Sequence, residues 1–153
     1  MLKNFARLLA VAASAAALAA VPATASAAGG GGGTGITMTI GNATMQGRVL
    51  VTVPVTVTCD PPLAGTPVSG SVNVTIQQAF GKDVSHGSGF ATFAVCPATP
   101  TTIDVPVTPD LYTTPPSGSF HGGTAIVSAF AGAVDPTFTI FEGGSVGPLA
   151  IKL

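Results

Sequence analysis

The chain has no tryptophan, a single tyrosine (Tyr112) and very little charge. Only 7% of its 153 residues are Asp, Glu, Lys or Arg, against about 25% in ordinary soluble proteins. Two of the five bases, Lys3 and Arg7, sit at the N-terminus; Arg48, Lys82 and Lys152 are scattered over the rest. Nucleic-acid binding needs clustered Lys and Arg to neutralise phosphates, so that class is excluded. A polybasic contact with a membrane surface fails for the same reason. Without Trp, and with one Tyr, the usual amphipathic surface for sugar recognition is missing. The acids Asp60, Asp83, Asp104, Asp110, Asp135 and Glu142 stand alone, without the D-x-D spacing of calcium loops. Two cysteines, with no third sulfur or histidine at ligand spacing, do not make a zinc site. After the N-terminal region no apolar run is long enough to span a bilayer.

What is present begins with a sorting signal. Met1 to Arg7 is basic, Leu8 to Val21 is apolar and alanine-rich, and Ala23, Ala25 and Ala27 supply small residues. That order is the pattern of a secretory signal peptide, with cleavage between Ala27 and Ala28. Residues 1–27 are therefore predicted to be a cleaved helical signal and 28–35 a flexible glycine-rich linker, with Gly29 to Gly33 unbroken. Residues 36–153 form one domain. The segment Gly147 to Leu153 is too short and interrupted for a membrane tail. The expectation is a secreted protein with no membrane insertion after cleavage. An even cysteine count in an exported chain predicts a Cys59–Cys96 disulfide. Closing that 37-residue loop is worth about 4 kcal/mol by loop-closure entropy.

The domain reads as strand and turn throughout. Arg48 to Thr58 alternates, with Val49, Val51, Val53, Val55 and Val57 on one face. Pro54 lacks a ladder donor, which predicts a sheet edge or a bulge there. Further strands are predicted at Ile36–Ile40, Ser71–Phe80, Phe90–Cys96, Thr101–Thr108, His121–Ala131, Thr137–Phe141 and Val146–Leu153. Asp60–Gly70 and Pro109–Ser119 are loops, Gly87-Ser88-Gly89 precedes a strand, and Gly81-Lys82-Asp83 is a hairpin turn. His121–Ala131 is apolar on both faces, as in a central strand. The phenylalanines of the domain, among them Phe80, Phe90, Phe93 and Phe130, are expected in the core. About seven or eight short strands without a helix predict an all-β sandwich with Greek-key connections.

The segments V-T-V-T-C-D (Val55 to Asp60), V-T-I-Q-Q-A (Val74 to Ala79), H-G-S-G (His86 to Gly89) and F-H-G-G-T-A (Phe120 to Ala125) carry a resemblance. Together they resemble small secreted actinobacterial proteins with an immunoglobulin-like β-sandwich. The resemblance implies that fold and export, and carries over no catalytic or ligand residue. The chain departs from true immunoglobulin domains in having no Trp to pack on the disulfide, and in the short spacing of its cysteines.

Candidate chemistry is thin. Gly143-Gly144-Ser145-Val146-Gly147 matches G-x-S-x-G, but a nucleophile elbow needs a strand, a sharp turn and a helix, with acid and His following. Neither can follow Ser145, so the segment is read as a hairpin turn. His86 and His121 lie beside glycines, with Asp83 near His86 in sequence, and neither has an evident nucleophile to serve. Asp60, Asp110 and Asp135 adjoin prolines, as turn residues do. Asn42-Ala43-Thr44 and Asn73-Val74-Thr75 are sequons by pattern and are read as unmodified. No catalytic residue, metal or cofactor is implied. The expectation is a non-enzymatic binding, adhesion or envelope-associated module with an unknown protein or cell-envelope partner, monomeric or weakly self-associating. The alternatives are a self-associating structural protein, or a small-ligand carrier with a cleft between sheets.

Overall fold

Valine alternation builds the molecule. Val51, Val53, Val55 and Val57 of one strand and Val72, Val74 and Ile76 of another are fully buried, while the residues between them face out. β-branched side chains favour extended backbone, and each buried Val or Ile stabilises the fold by about 1.5–3 kcal/mol. The computed structural model describes residues 35–110 and 117–153. The signal peptide 1–27, the cleavage pair Ala27 and Ala28, all of the linker except Gly35, and Tyr112 lie outside the described residues.

Eight strands follow in order: β1 (Ile36–Ile40), β2 (Thr44–Gln46), β3 (Leu50–Cys59), β4 (Pro67–Phe80), β5 (Asp83–Val95), β6 (Thr101–Pro109), β7 (Thr124–Val134) and β8 (Phe141–Lys152). All pairings are antiparallel, and the described residues contain no helix. The hydrogen-bonded order is β1-β3-β6-β5-β4-β7-β8, with β2 also on β3. Strands β4, β5 and β6 are successive neighbours and β7 returns beside β4, the spatial order of a Greek key. The sheet is barrel-like. Among the described residues, the ladder that joins its two halves, β1-β2-β3-β6 and β5-β4-β7-β8, consists of two residue pairs, Gly87 with Pro109 and Ser88 with Thr108, and is extended by a bond from Asp110 N to His86 O at 2.9 Å.

Glycines make the two corners. A Cβ on Gly89 would lie 1.9 Å from the Pro106 carbonyl oxygen, and one on Gly87 would lie 2.4 Å from the Phe120 ring. The H-G-S-G segment is therefore not the approach to a strand. It is the middle of β5, where β6 passes close beneath. At the other corner a Cβ on Gly144 would lie 1.9 Å from the Ile36 carbonyl oxygen. There β1, the first strand, crosses β8, the last. Gly143 to Gly147 is thus strand, not the predicted hairpin turn; Gly143 pairs with Gly132 and Ser145 with Phe130.

Other expectations need correcting. Pro54 is not at an outer edge and β3 itself does not bulge, but Pro54 faces an irregularity in its partner, where residues 41–43 stand opposite only Val53 and Pro54, between the pairs Ile40 with Val55 and Thr44 with Thr52. Strand β3 is paired on both sides, with Pro54 opposite Asp104 in an unbroken register with β6. On its other side the missing donor falls in the gap between the end of β1 at Ile40 and the start of β2 at Thr44. There the Gly41 N–H donates to the Pro54 carbonyl at 2.8 Å. Val49 is 64% exposed because it precedes β3. Thr137–Phe141 is a loop up to Phe141, because Asp135 takes the donors a strand would need. Its carboxylate accepts the backbone N–H groups of Thr137 (3.1 Å), Thr139 (2.8 Å) and Ile140 (2.7 Å) and the hydroxyls of Thr137 and Thr139. Phe138 is held at φ +56° within that loop. Strand β7 buries one face only: Ala125, Val127, Ala129 and Ala131 point in, while Ile126 and Phe130 are exposed. The two-residue turn Gly81–Lys82 joins β4 to β5, with Phe80 paired to Asp83.

Candidate functional site

The predicted disulfide is formed. Cys59, ending β3, bonds Cys96, just after β5, with the Cα atoms 5.8 Å apart. Backbone bonds from Cys59 N to Pro97 O (2.7 Å) and from Cys96 N to Thr66 O (3.0 Å) bind the same loops. A disulfide is compatible with an extracellular, oxidising compartment. Beside it lies Glu142 of β8, 2% exposed, with one carboxylate oxygen 3.4 Å from the Leu63 N–H and the other without a partner. Nothing in the sequence marked this residue as buried. Cys59, Cys96 and Glu142 form the one cluster of potential metal ligands among the described residues, but the two sulfurs are bonded to each other.

Burial, and secondarily the nearby Asp60 charge, push the Glu142 carboxyl above its ordinary value of 4.5, against the opposing bond from Leu63. A raised folded-state value means the native protein holds a proton that the unfolded chain has released. Stability is therefore expected to fall as pH rises above about 4.5, until the folded group also ionises. Glu142→Gln should flatten that slope and raise stability at neutral pH. Asp135 has the opposite sign. The Thr137 hydroxyl, then the backbone donors of Ile140, Thr139 and Thr137, hold it well below the usual carboxylate range. Its contribution is present at neutral pH and lost on acidification. Urea unfolding of the parent, Glu142→Gln and Asp135→Asn from about pH 2 to neutrality checks both slopes, that of Asp135 lying below its ordinary value of 3.8 and that of Glu142 above 4.5. A parallel shift of all three curves would contradict them.

Neither histidine ring is hydrogen-bonded to a nucleophile among the described residues. His86, half-buried on β5, has its N–H and carbonyl bonded to the Ser117 hydroxyl. His121 stacks on Phe80, with ring centroids 4.1 Å apart and planes 8° apart. Its N–H donates to Gln78 Oε1 at 2.8 Å, and its carbonyl accepts from Gln78 Nε2 at 2.7 Å. Ser145 is exposed mid-strand, opposite Phe130. Asp83 and Asp104 are exposed, the backbone carbonyl of Asp60 accepts the Ala64 N–H, and the Asp110 carboxylate accepts the Ser88 hydroxyl at 2.7 Å. Asn42 is exposed beside β2, and Asn73 lies mid-sheet on β4.

The largest departure from the sequence reading concerns phenylalanine. Among the described residues only Phe120 is a fully buried phenylalanine; Phe90 is 66% exposed, Phe130 48%, Phe141 63%, Phe80 54% and Phe138 79%. Phe93 is half-buried, its ring over Gly70. Three of the exposed rings share the outer face of β5-β4-β7-β8. Because Val72, Val74 and Ile76 point inward, Asn73 points outward, and it is paired with Phe90 on one side and Phe130 on the other. Phe130 is in turn opposite Ser145. A Cβ on Gly132 would lie 3.4 Å from the Phe141 ring and 3.5 Å from the Phe130 ring, so these two rings share a glycine floor. Next to Phe90 a groove of about 420 Å³ opens at the β5–β6 corner, lined by Asn73, Ser88, Gly89, Phe90, Pro106 and Thr108. No match to this chain was found among protein-family models, curated proteins or solved structures. The chemistry of this face must therefore carry the functional argument. Its signal in the sequence was strand parity: once Ala129 and Ala131 are inward, Phe130 is not.

Proposed function

We propose that this chain is a secreted, non-catalytic immunoglobulin-like domain that works by binding, through the outer face of β5-β4-β7-β8. The observation that carries the reading is the exposure of Phe90, Phe130 and Phe141 together on one sheet face. A stable domain has no use for three solvated rings, and exposed aromatic surface marks interaction sites. The class is supported by the strand order. Taking β1 and β3 to β8 as A to G, the order is ABED followed by CFG, the constant-type assignment. It differs in that β5 pairs with β4 along most of its length, and in that the disulfide joins the B strand to the segment after D. Export rests on the N-terminal pattern and the disulfide.

Self-assembly by strand addition is less well supported. The outer strand β8 carries an inward carboxylate (Glu142), a register shift beside Gly147, and Pro148; β1 is only five residues long. Short strands, irregularities, Pro and inward charge all blunt sheet edges. A carrier cleft between the half-sheets is also disfavoured, since the facing valines are fully buried and the groove opens on the outside.

Co-sedimentation with an insoluble bacterial cell-envelope preparation tests the reading. The parent should pellet, and the Phe90→Ser/Phe130→Ser/Phe141→Ser variant should stay in solution while keeping a β-rich circular dichroism spectrum. Equal pelleting of both would reject this face as the contact surface. A hydrolase screen that found turnover, lost in His86→Ala or His121→Ala with the fold retained, would overturn the non-catalytic reading.

A further inference from the structure

We infer that the ligand of this face is an extended, uncharged polysaccharide chain lying across strands β5, β4, β7 and β8, with one sugar unit in the groove beside Phe90. The inference rests on the binding reading above and names its ligand. Three features select this chemistry. First, the outward residues along the row are Phe90, Asn73, Phe130 and Ser145, with Phe141 beside Phe130. None of them is ionisable. A polyanion would find no cation in this row, so the ligand is neutral.

Second, the apolar surface is interrupted. Asn73 stands between Phe90 and Phe130, with Ser71 within 3.4 Å of its amide. A flat apolar protein surface or a lipid layer pressed onto this row would bury that amide without an adequate partner, which is unfavourable. A sugar ring presents an apolar C–H face and a rim of hydroxyls. It can lie on a phenyl ring while its hydroxyls reach the neighbouring amide. Third, the spacing of the two rings in the row fits. Phe90 and Phe130 lie two strand spacings apart, about 10 Å, which is close to the repeat of alternate units in an extended β-linked glycan. The groove extends the row past Phe90 with the hydroxyls of Ser88 and Thr108 and the apolar edge of Pro106. The want of Trp and Tyr argued against sugar binding only while phenylalanine was assigned to the core; here phenylalanine supplies the platforms.

Isothermal titration of the full domain with cellohexaose and with chitohexaose tests this, with maltohexaose, whose α-linked chain curls, as the comparison. Binding of at least one β-linked hexamer, tighter than maltohexaose, is expected. Phe90→Ala and Phe130→Ala should each weaken it about tenfold, Asn73→Ala should weaken it measurably, and Phe138→Ala, off this row, should leave it unchanged. No binding of either β-linked hexamer, a preference for maltohexaose, or unchanged affinity in Phe90→Ala and Phe130→Ala would overturn the inference. If these failures occur while the triple serine variant still loses envelope binding, the binding reading stands and the glycan falls. If envelope binding also persists in that variant, both fail.

Discussion

Gly144→Ala is expected to lose about 3 kcal/mol of stability or more. Overfilling a packed site usually costs about 1–3 kcal/mol. Here the obstacle is backbone, which cannot rotate away: the added Cβ would sit 1.9 Å from the Ile36 carbonyl oxygen and 3.0 Å from its carbonyl carbon. Relief requires β1 to lift off the core, taking the buried side chains of Ile36, Met38 and Ile40 with it. Gly89→Ala, facing the Pro106 carbonyl at 1.9 Å, should behave alike at the opposite corner. Gly122→Ala is the control, because nothing lies within 4 Å of its added Cβ; it should stay within about 0.5 kcal/mol of the parent. Urea midpoints at a common m-value measure all three. If Gly144→Ala and Gly122→Ala unfold together, β1 does not cross β8 at this point.

Removing the disulfide should have an effect of similar size. Replacing Cys59 and Cys96 together by Ala frees a 37-residue loop in the unfolded chain, worth about 4 kcal/mol. For a domain of this length that corresponds to a fall of about 10–20 °C in Tm. Alanine is preferred to serine because both positions are buried, at 3% and 0% exposure, and a hydroxyl there would need a partner. The flanking bonds from Cys59 to Pro97 and from Cys96 to Thr66 do not depend on the sulfurs, so the folded variant should keep the same loops. A loss below about 1 kcal/mol would mean that the unfolded chain is already constrained there.

The sequence made the strands legible wherever alternation met β-branched residues, as in Val51 to Val57 and Val72 to Ile76. Burial on one face leaves an unambiguous period-two trace. Three kinds of information were not legible. Glycine has the same letter whether it serves a turn, as at Gly81, or a backbone crossing, as at Gly89 and Gly144; only the three-dimensional path separates them. Parity tells which face a residue occupies but not whether a second layer covers that face, so the strand pattern alone places Phe90 and Phe130 in a core that Val and Ala already fill. A side chain such as Asp135, which captures backbone donors, erases a strand that propensity alone would draw through Thr137 to Phe141. The candidate face was hidden for the second of these reasons, and Glu142 because no local pattern distinguishes an inward carboxylate from a turn residue.

The crossing at Gly144 also orders events in time. It joins the first strand of the domain to the last, so the barrel has no closed form until residues near Phe141 to Ser145 have been synthesised. A nascent chain can form the β4–β5 hairpin early, through its two-residue turn, and then pair β3 with β6 and β4 with β7. Strand β1 must wait for its final neighbour. Sequence-distant pairings of this kind put folding in the slow, millisecond-to-second class. Until β8 arrives, β1 is held by its pairing with β3 and its crossing face at Ile36 stays open.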